Sequence, residues 1–209
     1  MNASRDKGSG RAEAPDAELI RRFRDGDERA FVTLVRRHER RVYNLAFRML
    51  GRAEDARDAT QDAFLSCFRH LGSFREEAAF TTWLHRIAMN ACFDMLRKRP
   101  PPGPAVEEVP AEAPTPDHAE AVILSTDVQR ALLTILPEFR AVLILHELQD
   151  LPVEEVAEAL NVPVGTVKSR LHRGRVALGR ALAGESARQE PRTATAPSKA
   201  PNTIPLDEP

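Results

Sequence analysis

Residues 151–182 read LPVEEVAEALNVPVGTVKSRLHRGRVALGRAL, and their pattern is the most informative in the sequence. After the Leu-Pro break, the apolar positions predict a short helix over 153–160, and Asn-Val-Pro at 161–163 predicts a tight turn. A longer helix over 164–182 follows. At about 100° per residue, one side of this longer helix gathers the residues that should pack inward. They are Val164, Val167, Leu171, Gly174, Leu178 and Leu182.

The other side of the longer helix is polar and basic. Residues 161–184 contain five Lys or Arg residues and no Asp or Glu. A short helix, a tight turn and a longer basic helix are the parts of a helix-turn-helix, whose second helix enters the major groove of DNA. The alternative is an amphipathic helix with a solvated basic face, but a stretch without a single acid favours DNA binding. The residues predicted to contact duplex DNA are Gly165, Thr166, Lys168, Ser169, Arg170, His172, Arg173 and Arg175.

The net charge of −1 conceals an uneven distribution of charge along the chain. Residues 15–99 contain 17 Lys or Arg against 13 Asp or Glu, and residues 130–180 contain seven against six. Between them, residues 100–129 contain six acids and no Lys or Arg. Two basic ends therefore flank an acidic middle, so the overall isoelectric point says little about nucleic-acid binding.

Proline marks the domain boundaries. Seven of the 16 prolines lie between residues 100 and 116, and five more follow Glu190. Such stretches cannot hold a helix or bury enough apolar surface to fold. The sequence therefore predicts an all-α fold of two small helical domains with a flexible, acidic, Pro-rich linker. The expected bounds are a disordered start at 1–14, domains at 15–99 and 120–183, the linker at 100–119 and a disordered tail at 184–209.

Apolar residues recur at helical spacing through both domains. Phe68 is among the residues predicted to be buried. Cys67 and Cys92 lie within apolar stripes and form no CxxC motif, so they are predicted to be buried thiols rather than metal ligands or a redox pair. Beyond the helix-turn-helix, the predicted helices cover 28–50, 53–71, 79–98, 128–135 and 137–149.

Two classes of protein are disfavoured by the sequence. Residues 1–18 are polar, and no apolar run approaches the roughly 20 residues that a membrane span needs, so a cytoplasmic protein is expected. An enzyme is also disfavoured: HELQD at 146–150 lacks the second histidine of a zinc-protease motif, and no phosphate loop or GxSxG motif occurs. We expect no catalytic residues, no metal, no cofactor and no small-molecule substrate.

Two long stretches together resemble a known family. Residues 53–99 include QDAFL and FTTWLHRIAMN, and residues 131–182 include GTVKSRLHRGR. In this order they resemble regions two and four of the sigma-70 family, in the group of extracytoplasmic function (ECF) sigma factors. The large region-three domain of housekeeping sigma factors is absent between them. The resemblance implies a protein that binds core RNA polymerase and directs it to promoters by reading a duplex −35 element and a melted −10 element.

The resemblance also implies partners. Acids recur every four residues in the second long helix, and this edge resembles the surface that binds the clamp helices of the polymerase's largest subunit. Region four of the family contacts the flap of the second-largest subunit, and an anti-sigma factor usually holds such proteins inactive. A plain solvated helix face is the alternative for the acidic edge. The implied polymerase-binding residues are Glu54, Asp55, Asp58, Gln61 and Asp62.

By the same resemblance, the turn at 72–74 and the third long helix hold the −10 element. Aromatic rings suit the stacking of unpaired bases, and Arg and Asn suit their exposed edges. Trp83, the only tryptophan, could instead belong to the core. The residues implied to contact −10 DNA are Phe74, Trp83, His85, Arg86, Asn90, Asp94, Arg97 and Lys98. A regulator that binds duplex DNA without polymerase is the rival hypothesis, but it leaves residues 53–99 unexplained.

Overall fold

The structure is a computed structural model that describes residues 14–75, 79–98 and 126–184. All regular elements in these ranges are helices, and none of them is both long and apolar enough to cross a membrane. In chain order they are α1 (Asp16–Arg24), α2 (Glu28–Leu50), α3 (Ala53–His70), a 3₁₀ turn (Leu71–Ser73), α4 (Phe80–Lys98), α5 (Thr126–Thr134), α6 (Pro137–Leu143), a π-helical turn (Ile144–Leu148), α7 (Val153–Leu160) and α8 (Val164–Leu182).

The predicted all-α class is confirmed, and local signals account for most helix ends. The Asp27 side chain caps α2 by accepting a hydrogen bond from the Arg29 N–H at 3.1 Å. Gly51 ends α2 in the left-handed conformation, with φ of 81°. Helix α1 was not predicted as a separate element, and the helix predicted over 137–149 divides into α6 and the π-helical turn.

In the first domain, α2 packs on α3 and α4 around a core of aliphatic side chains such as Leu34, Leu45 and Met49. Cys67 and Cys92 are buried and free, as predicted, and burial raises the pKa of both thiols to about 12. The prediction that Phe68 is buried is wrong. It lies at the edge of an aromatic cluster with Phe23 and Phe31, and 43% of its surface is exposed.

In the second domain, α8 packs on α6 and α7 through Val167, Leu171 and Gly174. A Cβ atom on Gly174 would lie 3.1 Å from the Leu143 side chain and 3.2 Å from the carbonyl oxygen of Phe139. Glycine therefore allows α8 to approach α6 closely. Of the predicted inward-facing residues, Val164 and Leu178 are half-buried, and Leu182, in the last turn of α8, is 49% exposed.

The two domains pack directly against each other. The buried guanidinium of Arg140, in α6, donates to the carbonyl oxygen of Met49, at the end of α2. Its Nη2 atom also donates to the carbonyl oxygens of Leu133 and Ile135, at 2.8 and 2.9 Å. Burial lowers the pKa of Arg140 to about 10, so the side chain keeps its charge at neutral pH. We call this contact the domain junction.

A second contact lies between α4 and α7, where the Thr82 hydroxyl donates to Glu155 Oε2 at 2.6 Å. The sequence predicted two helical domains joined by a flexible linker, and it did not predict these direct contacts between them. The predicted linker at 100–119 lies outside the described residues, as do residues 1–13 and 185–209. Ala14, expected to be disordered, instead accepts a hydrogen bond from Arg37 at 2.8 Å.

Candidate nucleic-acid interface

The turn between α7 and α8 has the geometry that the sequence predicts. Asn161 adopts the left-handed conformation, with φ of 50°, which asparagine tolerates better than most residues. The Val162 N–H donates to the carbonyl oxygen of Ala157 at 3.0 Å, and the Asn161 N–H donates to that of Glu158 at 3.1 Å. These bonds close the C-terminus of α7 and reverse the chain within three residues.

Pro163 starts α8 without a side-chain cap. Its carbonyl oxygen accepts hydrogen bonds from the N–H groups of Thr166 and Val167, at 2.8 and 3.2 Å. No side chain satisfies the first turn, as expected for proline at this position. The helix is held instead by the packing of Val167 and Leu171 against the domain core.

The residues predicted to contact duplex DNA lie on the outer side of α8 and on its flanks. Gly165, a helical glycine with open space around its Cα, lies at the N-terminal end, where a backbone can come close to base edges. Ser169 donates to the Thr166 carbonyl oxygen at 2.9 Å. Six of the eight are exposed, namely Gly165, Lys168, Ser169, His172, Arg173 and Arg175, and Thr166 and Arg170 are half-buried.

The cations on this side of α8 differ in their partners. Arg175 donates from both Nε and Nη2 to Glu147 Oε1, at 2.8 and 2.6 Å. Lys168, Arg170 and Arg173 form no ion pair within the described part of the chain. The result is a mostly unneutralised cationic surface on a helix that presents no acid. We call the side of α8 that carries Lys168, Arg170, Arg173 and Arg175 the α8 surface.

The structure corrects three residues that were expected to contact −10 DNA. Phe74, Trp83 and His85 lie in the core, with exposed fractions of 6%, 7% and 3%. The ring centroids of Phe74 and Trp83 are 4.9 Å apart. Because α2, α3 and α7 all pack against α4, more of its circumference is buried than a single apolar stripe suggests. In this arrangement the three side chains belong to the packed core and are not part of the exposed surface.

The other expected −10 residues form a row along one side of α4. Arg86, Asn90 and Asp94 are spaced four residues apart and are half-buried, and Arg97 follows one turn later and pairs with Asp94. Arg97 and Lys98 are exposed at the C-terminal end of the helix. A row of this kind offers both donors and acceptors to a strand of nucleic acid.

His85 is an uncharged buried histidine. Its Nδ1 atom has no hydrogen-bond partner among the described residues. Burial, with smaller contributions from the charges of Arg41 and His38, lowers the pKa of His85 to about 4. His38 is also buried, and the pKa of its ring is lowered by burial against the opposing effect of Asp16.

We expect the protein to lose stability in mild acid. The unfolded chain binds a proton at His85 near pH 6.5, and the folded chain does so only near pH 4. The uncharged His85 therefore contributes fully to stability above pH 6.5, and this contribution is lost as the pH falls towards 4. The free energy of unfolding should fall by about 1–2 kcal/mol between about pH 6.5 and 5 from His85 alone. Urea denaturation at several pH values measures this. The variant His85→Gln should show a weaker dependence of the unfolding free energy on pH. The control His172→Gln, which changes an exposed histidine, should keep the dependence of the unaltered protein. The same dependence in all three proteins would contradict the role given to His85.

The acidic edge of α3 is accessible. Glu54, Asp58, Gln61 and Asp62 are exposed, and Asp55 is half-buried. Arg52 forms an exposed ion pair with Glu54 at 3.4 Å. Sequence reasoning missed that Leu65 and Phe68, further along α3, are also exposed, at 46% and 43%. Their four- and seven-residue spacing from Gln61 could have indicated a common face.

Comparison with known proteins gives matches over both domains. A family model described as Sigma-70 region 2 matches residues 34–100, and one described as Sigma-70, region 4 matches residues 125–178. The chain is 43% identical over 174 residues to the ECF RNA polymerase sigma factor SigM of Mycobacterium tuberculosis strain H37Rv, covering 83% of this chain and 87% of SigM. It is 35% identical over 176 residues to the ECF RNA polymerase sigma factor SigW of Bacillus subtilis strain 168, covering 78% and 94%.

Solved structures show the same fold. CnrH, in complex with the cytosolic domain of CnrY, superposes with a TM-score of 0.61 at 27% identity, covering 82% of this chain and 99% of that one. The sigma factor RpoE of Bartonella quintana, solved with the anti-sigma factor NepR, superposes with a TM-score of 0.58 at 20% identity, covering 75% and 98%.

Proposed function

Because the chain belongs to the sigma-70 family of RNA polymerase sigma factors, in its ECF group, we propose that its two domains divide promoter recognition between them. The protein is a transcription initiation factor: it binds core RNA polymerase and directs promoter-specific initiation. The observation that carries the division of labour is the α8 surface, which faces outward on a helix-turn-helix in the second domain. It suits the −35 element, which is read as duplex DNA.

The first domain binds the −10 element. The row of Arg86, Asn90, Asp94 and Arg97 on α4, with Lys98 at its end, binds the unpaired strand through its base edges and phosphates. Support comes from the partial exposure of Arg86, Asn90 and Asp94 and from the full exposure of Arg97 and Lys98 at the end of the helix. Binding to the unpaired strand favours open DNA over closed DNA, so strand separation follows from binding without a nucleotide-hydrolysing site.

The acidic edge of α3 binds the clamp helices of the polymerase's largest subunit, through Glu54, Asp55, Asp58, Gln61 and Asp62. Charge attracts the edge to basic partner residues, and the exposed side chains of Leu65 and Phe68 add apolar contact area next to it. The second domain binds the flap of the second-largest subunit. The protein acts in the cytoplasm, where polymerase is found, and has no catalytic activity, cofactor or small-molecule substrate of its own.

An anti-sigma factor regulates the protein by covering its polymerase-binding surfaces. Support for binding of a protein partner comes from CnrH, which is 27% identical to this chain and was solved in complex with the cytosolic domain of CnrY. The domain junction brings the two domains together, so that one partner could contact both.

Run-off transcription with core polymerase on a library of genomic fragments tests the proposed function. We expect transcripts whose start sites share paired upstream motifs at a constant spacing. The reason is that the α8 surface and the DNA-binding row of α4 belong to one chain. Core polymerase alone is the control and should give none of these transcripts. Tight binding to promoter duplex without any transcript would favour instead a regulator that works without polymerase.

A further inference from the structure

The π-helical turn Ile144–Leu148 sets the direction of the residues that follow α6. Its wider winding is visible in the hydrogen bond from the Gln149 N–H to the carbonyl oxygen of Ile144, at 3.1 Å. Asp150 then adopts the left-handed conformation, with φ of 54°. Turns of this kind are uncommon and are found disproportionately at functional sites.

Side-chain and backbone bonds hold this unusual turn in place. His146 Nδ1 donates to the carbonyl oxygen of Leu151 at 2.8 Å, and the Leu151 N–H donates to the carbonyl oxygen of Leu145 at 3.1 Å. Leu145 itself is completely buried. The HELQD sequence, which suggested a zinc motif only superficially, therefore builds a defined local structure instead.

The turn places Glu147 against the α8 surface. Glu147 Oε1 accepts two hydrogen bonds from Arg175, at 2.8 Å from Nε and 2.6 Å from Nη2. Two of the five guanidinium N–H groups are therefore occupied, and the other three remain for a phosphate or a base. The side chains of Arg175 and Glu147 are 57% and 42% exposed, and Arg175 is one of the residues predicted to contact duplex DNA.

An ion pair this exposed contributes little to folding, typically between about 0 and 1 kcal/mol. Its larger consequence is for recognition. A guanidinium held at two positions loses less conformational freedom on binding DNA in its preferred orientation. It is also less able to reach a phosphate in some other register, and its charge is partly balanced.

We propose that Glu147 is a positioning residue for DNA recognition, which holds Arg175 in one orientation and thereby raises the preference of the second domain for its −35 element over other DNA. This inference rests on the proposed function and adds to it a specificity-determining residue outside the helix-turn-helix. Glu147 acts through Arg175 and does not itself contact DNA.

The test compares holoenzymes carrying the unaltered protein or Glu147→Gln. The probes are a promoter duplex recovered by run-off transcription and the same duplex with its −35 motif scrambled. We expect the ratio of the two affinities to fall about fivefold, mainly because binding to the scrambled duplex tightens when Arg175 is released. Glu158→Gln removes the same charge from an exposed side chain of α7 that forms no ion pair with the described residues, and should leave the ratio unchanged.

A double-mutant cycle separates positioning from a general change of charge. If Glu147 acts through Arg175, then Glu147→Gln should have no effect on the ratio in a protein that already carries Arg175→Ala. An unchanged ratio in Glu147→Gln, or the same effect with and without Arg175, would overturn the inference. Failure of the proposed function is a different result, since the unaltered protein would then give no transcript before any variant is compared.

Discussion

Replacing Arg140 by methionine is expected to lower the free energy of unfolding by about 3 kcal/mol. The guanidinium donates to three carbonyl oxygens, those of Met49, Leu133 and Ile135, and methionine fills similar space without a donor. A buried acceptor left without a partner costs about 1–3 kcal/mol. The net loss is smaller than three such costs, because methionine also removes the cost of burying a charge. That cost is raised in the unaltered protein by the Nε atom of Arg140, which is buried without a hydrogen-bond partner among the described residues.

Chemical denaturation at neutral pH measures this loss. Arg130→Met is the matched control, because Arg130 is an exposed arginine on α5 and its replacement should change stability by less than about 0.5 kcal/mol. The variant should also make the contact between the domains weaker, since Met49 belongs to the first domain and Arg140 to the second. Equal effects of the two substitutions would show that the domain junction does not contribute to folding.

Replacing Arg173 by alanine is expected to reduce transcription from a −35-dependent promoter about tenfold or more. Arg173 is exposed near the middle of α8, and no acid in the described part of the chain neutralises it. An arginine that donates two hydrogen bonds to guanine contributes about 1–3 kcal/mol of discrimination, which corresponds to a loss of roughly fivefold to 150-fold. The initial rate of run-off transcription, measured below saturation with holoenzyme, reports this loss.

Arg180→Ala is the control for that experiment. Arg180 is also an exposed arginine of α8, but it lies in the last turn, outside the set predicted to contact DNA. We expect its replacement to change transcription less than twofold, apart from the general loss of one positive charge. If the two variants were equally impaired, the effect of Arg173 would be one of overall charge and not of recognition.

Local patterns explain why so much of the fold could be predicted from the sequence. Helices α2, α7 and α8 begin and end where apolar periodicity and nearby capping or breaking residues place them. Asp27 and Gly51 bound α2 through interactions within a few residues. The basic, acid-free composition of α8 is also a property of one segment, so helical spacing alone predicted that its cationic side faces outward.

Local patterns could not predict the burial of residues that pack against several helices at once. His85 was expected on the DNA-binding side of α4, yet it is buried, because three helices enclose α4. Phe68 has the opposite outcome, since it belongs to the periodic stripe of α3 but lies at the edge of the core. Periodicity identifies one buried face and cannot show how many neighbours a helix has.

The helices, the helix-turn-helix and the basic outer side of α8 follow from local sequence, because each depends on interactions within a few turns of one chain segment. Which polar groups meet across the molecule depends on how the helices pack together. Arg140 and Met49 are 91 residues apart, and Glu147 and Arg175 are 28 apart. Such pairs depend on the docking of whole helices and on the π-helical turn, and no spacing along the chain encodes them.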